Sequence, residues 1–495
     1  MKYKAASALR MGVALCASVS FPSLAWAQSA PPAPVKAVID GNGVDLFAGQ
    51  IKVAGPALTL GRDENTLTYR AWNSGSGWSD SGQGFVNTSG STVTVSIGDK
   101  SYDFLFSGGV YTAKDGKGDK LTFIGSVYTF TMSDGTAAHF NTTISNPWIS
   151  SQALITDITD PNGSITYFNY SYYDYCYGWG SSSCPSPQTV WRLSSITNVY
   201  GYTVSYLYSE GAPTGSEDLR QWSRPTGVLG SNAAASTPIA LGSQAFSTAT
   251  DGSRLITDAL SRQTKFRMSG NKVAGVTRPG NTTEDVTITY DTGSGRVTGI
   301  ATPAGGTSYG SSDAAGSRTV TVTDALSHTT TYVFDITSQQ LTSRTDALGH
   351  SVAFAYDASG RVTQVTLPEG NQTQITYDAR GNVTQTTKIP KSGSGLSNIS
   401  TTAGYDATCT NNVTCNQPNW TRDAKNNQTD YVYDSGHGGL LSVTLPADTS
   451  GKRSQTRYSY TALQAYYRNY YGYVVPSGHP VYKLRRHRGR NKDHY

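Results

Sequence analysis

The 495-residue chain is 37% apolar and 15% charged, with 52 glycines and 32 tyrosines against 13 phenylalanines and 4 methionines. Tyr, Thr and Val suit a pleated, half-wet surface and Gly, Asn and Asp supply turns, which excludes a helical bundle or coiled coil. An aromatic content of 11% argues against disorder. The net charge of +5 belongs to the two ends: residues 1–27 carry +3, residues 466–495 carry +6, and the body is left at −4. The body therefore has no electrostatic footprint for a specific nucleic acid or other polyanion.

The chain opens on Lys2, Lys4 and Arg10, then an apolar run from Met11 to Leu24, then Ala25-Trp26-Ala27. This is the layout of a cleaved export signal over 1–27, and the run is too short to predict a transmembrane segment. Residues 28–39, rich in Pro and Ala, predict a linker. The expected destination is the periplasm, the cell surface or the extracellular space. Residues 40–150 read as a strand-rich N-terminal region. In an oxidising compartment, Cys176 with Cys184 and Cys409 with Cys415 are natural local disulfides. Free thiols and cross-pairing are the alternatives; neither C-x-x-C spacing nor nearby histidines favour a metal.

From residue 285 to 463 the sequence is periodic. Thr345-Asp346-Ala347-Leu348-Gly349-His350 leads through Val352, Phe354 and Tyr356-Asp357 to Gly360-Arg361-Val362. The pattern returns 21 residues later at Tyr377-Asp378 and Gly381, and 22 residues earlier at Phe334-Asp335. Tyr433-Asp434 and, less regularly, Tyr290-Asp291 and Tyr405-Asp406 continue it. Val352, Phe354 and Tyr356 alternate, so they share one face of a strand, and the Asp-x-x-Gly that follows makes a tight turn. One hairpin alone is too small to be stable; the stack is the folding unit.

AYDASGRVTQVTLPEGNQTQITYDARGNVTQTT, with TDALGH and TDALSH, resembles the YD repeats of bacterial Rhs and wall-associated proteins, toxin-complex shell subunits and teneurins. Degenerate units such as ITDPNGSITYFNY extend the resemblance across 151–284. VDLFAGQIKVAGPALTL is similar to the strand-rich segment that often precedes Rhs repeats. The resemblance implies an all-β fold: tandem hairpins forming a curved, spiralling sheet, here an open partial cocoon. It implies a non-enzymatic scaffold, part of a shell for toxin delivery in contact-dependent competition. The partner would be a toxin effector; alternatively the chain is a cell-surface adhesion or glycan-binding module, with self-association through an open sheet edge. The family's closing D-P-x-G-L-like element and effector domain are not found, so the chain reads as a fragment and autoproteolysis is not carried over.

Other features have plainer readings. Gly306-Thr307-Ser308-Tyr309-Gly310 matches a nucleophile elbow, the basis of a secreted-hydrolase alternative, but it sits among β repeats. His328 and His350 occupy equivalent repeat positions and read as turn residues rather than metal ligands. No catalytic residue, metal or cofactor is expected. Residues 464–495, dense in Tyr and then Arg, lose the period and the turn signals, and predict an irregular tail, frayed after about 463.

Overall fold

The computed structural model describes residues 38–60, 66–73, 77–80, 82–98, 100–114, 118–144, 153–175, 188–209, 222–232, 239–468 and 473–489. Among them lie thirty-six strands, numbered β1–β36 in chain order, and no helical element. The expected signal (1–27), most of the linker, and both Cys176 and Cys184 lie outside the described residues. No described helix is long and apolar enough to cross a membrane.

Two sheets are present. Strands β1 (Val44–Asp45), β2 (Gln50–Thr59), β3 (Thr66–Asn73) and β4 (Gly77–Asp80) form a small antiparallel sheet of their own. Everything from β5 (Gly84–Ser89) to β36 (Val474–Gly489) belongs to a second sheet. Its first eight strands, β5 to β12 (Ala153–Thr159), close into a ring, because Ala153 and Leu154 of β12 pair with Val86 and Phe85 of β5. The alternation of Val93, Val95, Phe104, Phe130, Phe140 and Ile155 fills that ring with a core of its own. The far half of β12 pairs instead with β13 (Ile165–Tyr175), and from there each strand pairs antiparallel with the next, as far as β36.

The all-β hairpin strip is therefore present, with two departures from an open, frayed shell. First, the sheet closes through β5 and β12. Second, the described part of the segment expected to be an irregular tail is strand: β35 (Arg453–Arg468) and β36, sixteen residues each, pair antiparallel. Val474, Val475, Val481 and Tyr482 are good strand formers, and the pairing accommodates Pro476 to Pro480 through a register shift between Gln464 and Tyr466. Val481 is buried against Ile165 and Val199, and the Tyr482 amide donates to the Asn162 carbonyl (2.9 Å).

The small sheet lies against the apolar face of the strip. Val44, Leu46, Ile51 and Trp72 share one core with Ile256, Phe266, Val276, Ile288, Ile300, Val320 and Phe334. Trp78 meets Phe266 edge to face at 5.2 Å, and Phe47 meets Phe334 at 5.7 Å. Polar bonds fix the register of this docking. Arg296 and Arg318 both donate to the Phe47 carbonyl (2.8 and 2.9 Å), the Val297 amide donates to Gly49 (2.8 Å), and buried Gln244 donates to Pro56 (2.8 Å). One strand-rich stretch thus supplies both this docked sheet and most of the closed ring.

Candidate functional site

The repeat turn is the structural unit from which any site on this protein is built. At Tyr356-Asp357-Ala358-Ser359-Gly360-Arg361, the Asp357 carboxylate accepts from the Ser359 and Arg361 amides (2.9 Å each) and from Arg361 Nε (2.6 Å). The Gly360 amide closes the turn on the Asp357 carbonyl (3.0 Å) at φ 79°, a conformation that glycine adopts without steric cost. Asp378 with Gly381 repeats this geometry. Asp291, Asp335 and Asp434 use turns one residue longer, with the positive φ at Gly295, Gln339 and Gly438.

The aromatic before each aspartate sits at a bulge. The pairing register shifts immediately before Tyr290, Phe334, Tyr356, Tyr377 and Tyr433. Bulges displace ladder groups, and the tyrosine hydroxyls reach the carbonyls beside them. Tyr356 donates to Leu341 (2.6 Å), Tyr377 to Val362 (2.8 Å), Tyr405 to Val383 (3.2 Å) and Tyr460 to Leu440 (3.2 Å). Those four carbonyl owners are the residues opposite the preceding unit's aromatic: Phe334, Tyr356, Tyr377 and Tyr433. Four units therefore cap the bulge of the one before them, which gives a physical reason for Tyr at these positions. Burial raises the Tyr356 phenol to about 12 and raises Tyr290 and Tyr433 as well, so these hydroxyls remain donors at neutral pH. Arg361 adds a second staple, donating to the Asp378 carbonyl (3.0 Å) and lying over the Tyr377 ring at 4.9 Å. Tyr377→Phe should cost about 0.5–1.5 kcal/mol, the net value of one hydrogen bond, in denaturant unfolding. No loss at all would show that the Val362 carbonyl is satisfied without the hydroxyl.

The turn carboxylates set an acid limit. At Asp357 burial favours the neutral acid, but the amide and guanidinium of Arg361 outweigh it and hold the carboxyl below its usual range. The His350 amide lowers Asp346 and the Ser294 amide lowers Asp291. A depressed folded value contributes stability that is present above the unfolded value of about 4 and is lost as pH falls through the folded one. His139 has the opposite sign: its bond to Asp157 (2.7 Å) raises it, so its contribution is full at low pH and fades as pH rises. Thermal unfolding temperature should therefore hold or rise slightly from pH 7 to 5 and fall below about pH 4. A steady fall already between pH 7 and 5 would refute this account of the turns.

The other sequence candidates are placed as follows. Ser308 lies in the middle of β23 (Gly305–Ala314), paired with Gly299 on one side and Thr323 on the other, so the strand-to-helix turn of a nucleophile elbow is not formed. His328 and His350 bond Asp324 and Asp346 within their own turns, and no group of metal-ligating side chains occurs among the described residues. Cys409 and Cys415 form a disulfide, with Cα atoms 5.0 Å apart.

Two surfaces offer room for a partner. Beyond β26 (Leu341–Thr345), no described residue joins the core shared with the small sheet, and Val352, Phe354 and Tyr356 are only half-buried. A cleft of about 680 Å³ lies where β4 meets the strands around Tyr170 and Trp191. Trp78, Tyr206 and Tyr208 line it together with Asp80 and Arg192. Tyr206 donates to Asp80 (2.8 Å), and the Arg192 guanidinium lies over Tyr208 at 4.1 Å. Sequence reading had no means of finding this cleft, because Trp78 falls in the N-terminal region and Trp191, Tyr206 and Tyr208 in the degenerate repeats, and only folding joins them.

Residues 337–372 and 356–389 match the RHS Repeat family model. Three solved structures are similar over the fold. A crystal structure of TcdB2-TccC3 is 13% identical, with 75% of this chain and 23% of that chain covered, at a TM-score of 0.33. A TcdB2-TccC3 structure without the hypervariable C-terminal region is 12% identical, with 90% and 26% covered, at 0.35. A TcdB2-TccC3-Cdc42 structure is 12% identical, with 75% and 23% covered, at 0.32. The chain spans about a quarter of the structures it resembles. The comparison with curated proteins found no match.

Proposed function

We propose, since this chain is an RHS-repeat protein, that it is an exported, non-enzymatic scaffold forming part of a shell for toxin delivery in contact-dependent competition. The observation that carries the reading is the use of the strip's apolar face. From Ile256 to Phe334 that face holds polypeptide, the small N-terminal sheet, in place of solvent. The same face continues past β26 with its Val, Phe and Tyr side chains half-covered, and so offers the surface on which further polypeptide would lie. The Cys409–Cys415 disulfide supports a destination outside the cytoplasm. Reading the DNA beyond codon 495 in all three frames tests the carrier role. A closing repeat element followed by a separate domain supports it, and the absence of any such sequence overturns it. Ser308→Ala checks the non-enzymatic part: an esterase or peptidase activity of the protein that disappears with this substitution would refute it.

A second reading, a surface glycan-binding module, is favoured by the aromatic cleft. Sugar rings stack on aromatic faces while polar groups at the edge bind hydroxyls, and Trp78, Trp191 and the exposed Arg224 offer that combination in a cleft of ligand size. Trp191→Ala should abolish retention on a glycan array if this reading holds; retention that survives the substitution would remove it.

A further inference from the structure

We infer that the Cys409–Cys415 disulfide is a redox-modification site, opened by a dithiol reductant, whose reduction unfastens the repeat strip from the closed ring. The disulfide closes residues 409–415 within the loop 406–417, which is the place where the two meet. On the ring side, Lys120 Nζ donates to Asn412 Oδ1 (2.7 Å), Asn416 Nδ2 donates to the Ser133 carbonyl (2.9 Å), and Gly135 packs directly on the Val413 backbone. On the strip side, Arg380 donates to the Asp406 carbonyl (2.5 Å) and Asn416 (3.1 Å), while Asn411 donates to the Ser435 carbonyl (2.8 Å). These bonds connect positions up to 292 residues apart, and one cross-linked loop positions all of them.

The two sulfurs are not equivalent. Cys415 is fully buried, whereas Cys409 is half-buried and its Sγ lies 3.2 Å from Lys120 Nζ. A reductant thiolate therefore attacks Cys409 Sγ. The new mixed disulfide forms as the Cys409–Cys415 bond breaks, and Cys415 departs as a thiolate that takes a proton from water. The reductant's second thiol, losing its proton to solvent, then attacks the reductant's own sulfur in the mixed disulfide. It expels Cys409 as a thiolate beside the Lys120 ammonium, which stabilises that leaving group. Two electrons pass to the cysteines and the reductant leaves as a disulfide. The freed loop loses the constraint that holds Asn412, Val413 and Asn416 against the ring.

The test uses the full chain treated with dithiothreitol, alkylated and mapped by peptide mass, so that Cys409 and Cys415 are scored apart from Cys176 and Cys184. Both cysteines should be alkylated in folded protein. Amide exchange across 118–135 should speed up at least tenfold, while Arg254–Phe334 keeps its protection. Cys409→Ser with Cys415→Ser should reproduce the fast exchange without reductant, and Lys120→Met should slow reduction several-fold. Reduction that leaves exchange at 118–135 unchanged would overturn the proposal, as would a pair that becomes reducible only after global unfolding.

Discussion

Trp72→Ala should destabilise the protein by about 3–5 kcal/mol, the usual cost of removing a fully buried large aromatic side chain. Trp72 is 2% exposed and lies in β3, outside the repeat strip, yet its neighbours include residues of strands some 200 positions away. Two outcomes discriminate two pictures of the molecule. If the small sheet and the strip fold as one cooperative body, the midpoint of denaturant unfolding shifts for the whole transition, including the repeats. If the sheet is a detachable insert, the main transition stays in place and only proteolysis within 38–80 increases. The bonds from Arg296, Arg318 and Val297 to the backbone at Leu46, Phe47 and Gly49 favour the first outcome. A departing sheet would take these acceptors away and leave the Val297 amide and the two guanidiniums without their partners, which is costly. A main transition that stays unmoved in Trp72→Ala would show that the shared core contributes little to the stability of the repeats.

The repeats were legible because their determinants are local. The Asp-x-x-Gly turn at 357–360 and the alternation through Val352, Phe354 and Tyr356 need only a few residues of context, and the hairpins fall where those signals put them. Three features were hidden, each for a physical reason. The β5–β12 closure rests on two residue pairs between strands nearly 70 positions apart, and no local pattern encodes such a meeting. The docking of the small sheet depends on Val44, Leu46 and Trp72 finding the strip's inner residues, and alternation tells which residues turn inward without telling what they meet. The C-terminal hairpin was read as irregular because the repeat period and its regular turn signals are lost after Leu463. Loss of the period does not prevent the same residues from pairing as a long hairpin. The hydroxyl ladder could have been found: tyrosine rather than phenylalanine recurs at a bulge position, and a buried hydroxyl needs a partner.

Gly163→Ala should cost distinctly more than Gly370→Ala, and the difference measures whether β36 is seated. Both glycines close repeat turns with left-handed backbone, at φ 83° and 86°. Alanine in that conformation costs about 1–2 kcal/mol at either site. Their surroundings differ. A methyl group at Gly370 meets open space, whereas one at Gly163 collides with the Pro480 carbonyl of β36. Because backbone cannot swing aside as a side chain can, β36 must lift from the Asp160–Gly163 turn. Lifting it loses the Tyr482 bond to Asn162 and exposes Val481 again, and Val481 burial alone is worth about 1.5 kcal/mol or more. In Gly163→Ala, limited proteolysis should therefore cut between 464 and 489 at a rate well above that of the parent, while Gly370→Ala leaves the tail as resistant as before. Equal destabilisation in the two variants, with the tail cut quickly even in the parent protein, would mean that the C-terminal hairpin does not seal this end of the strip.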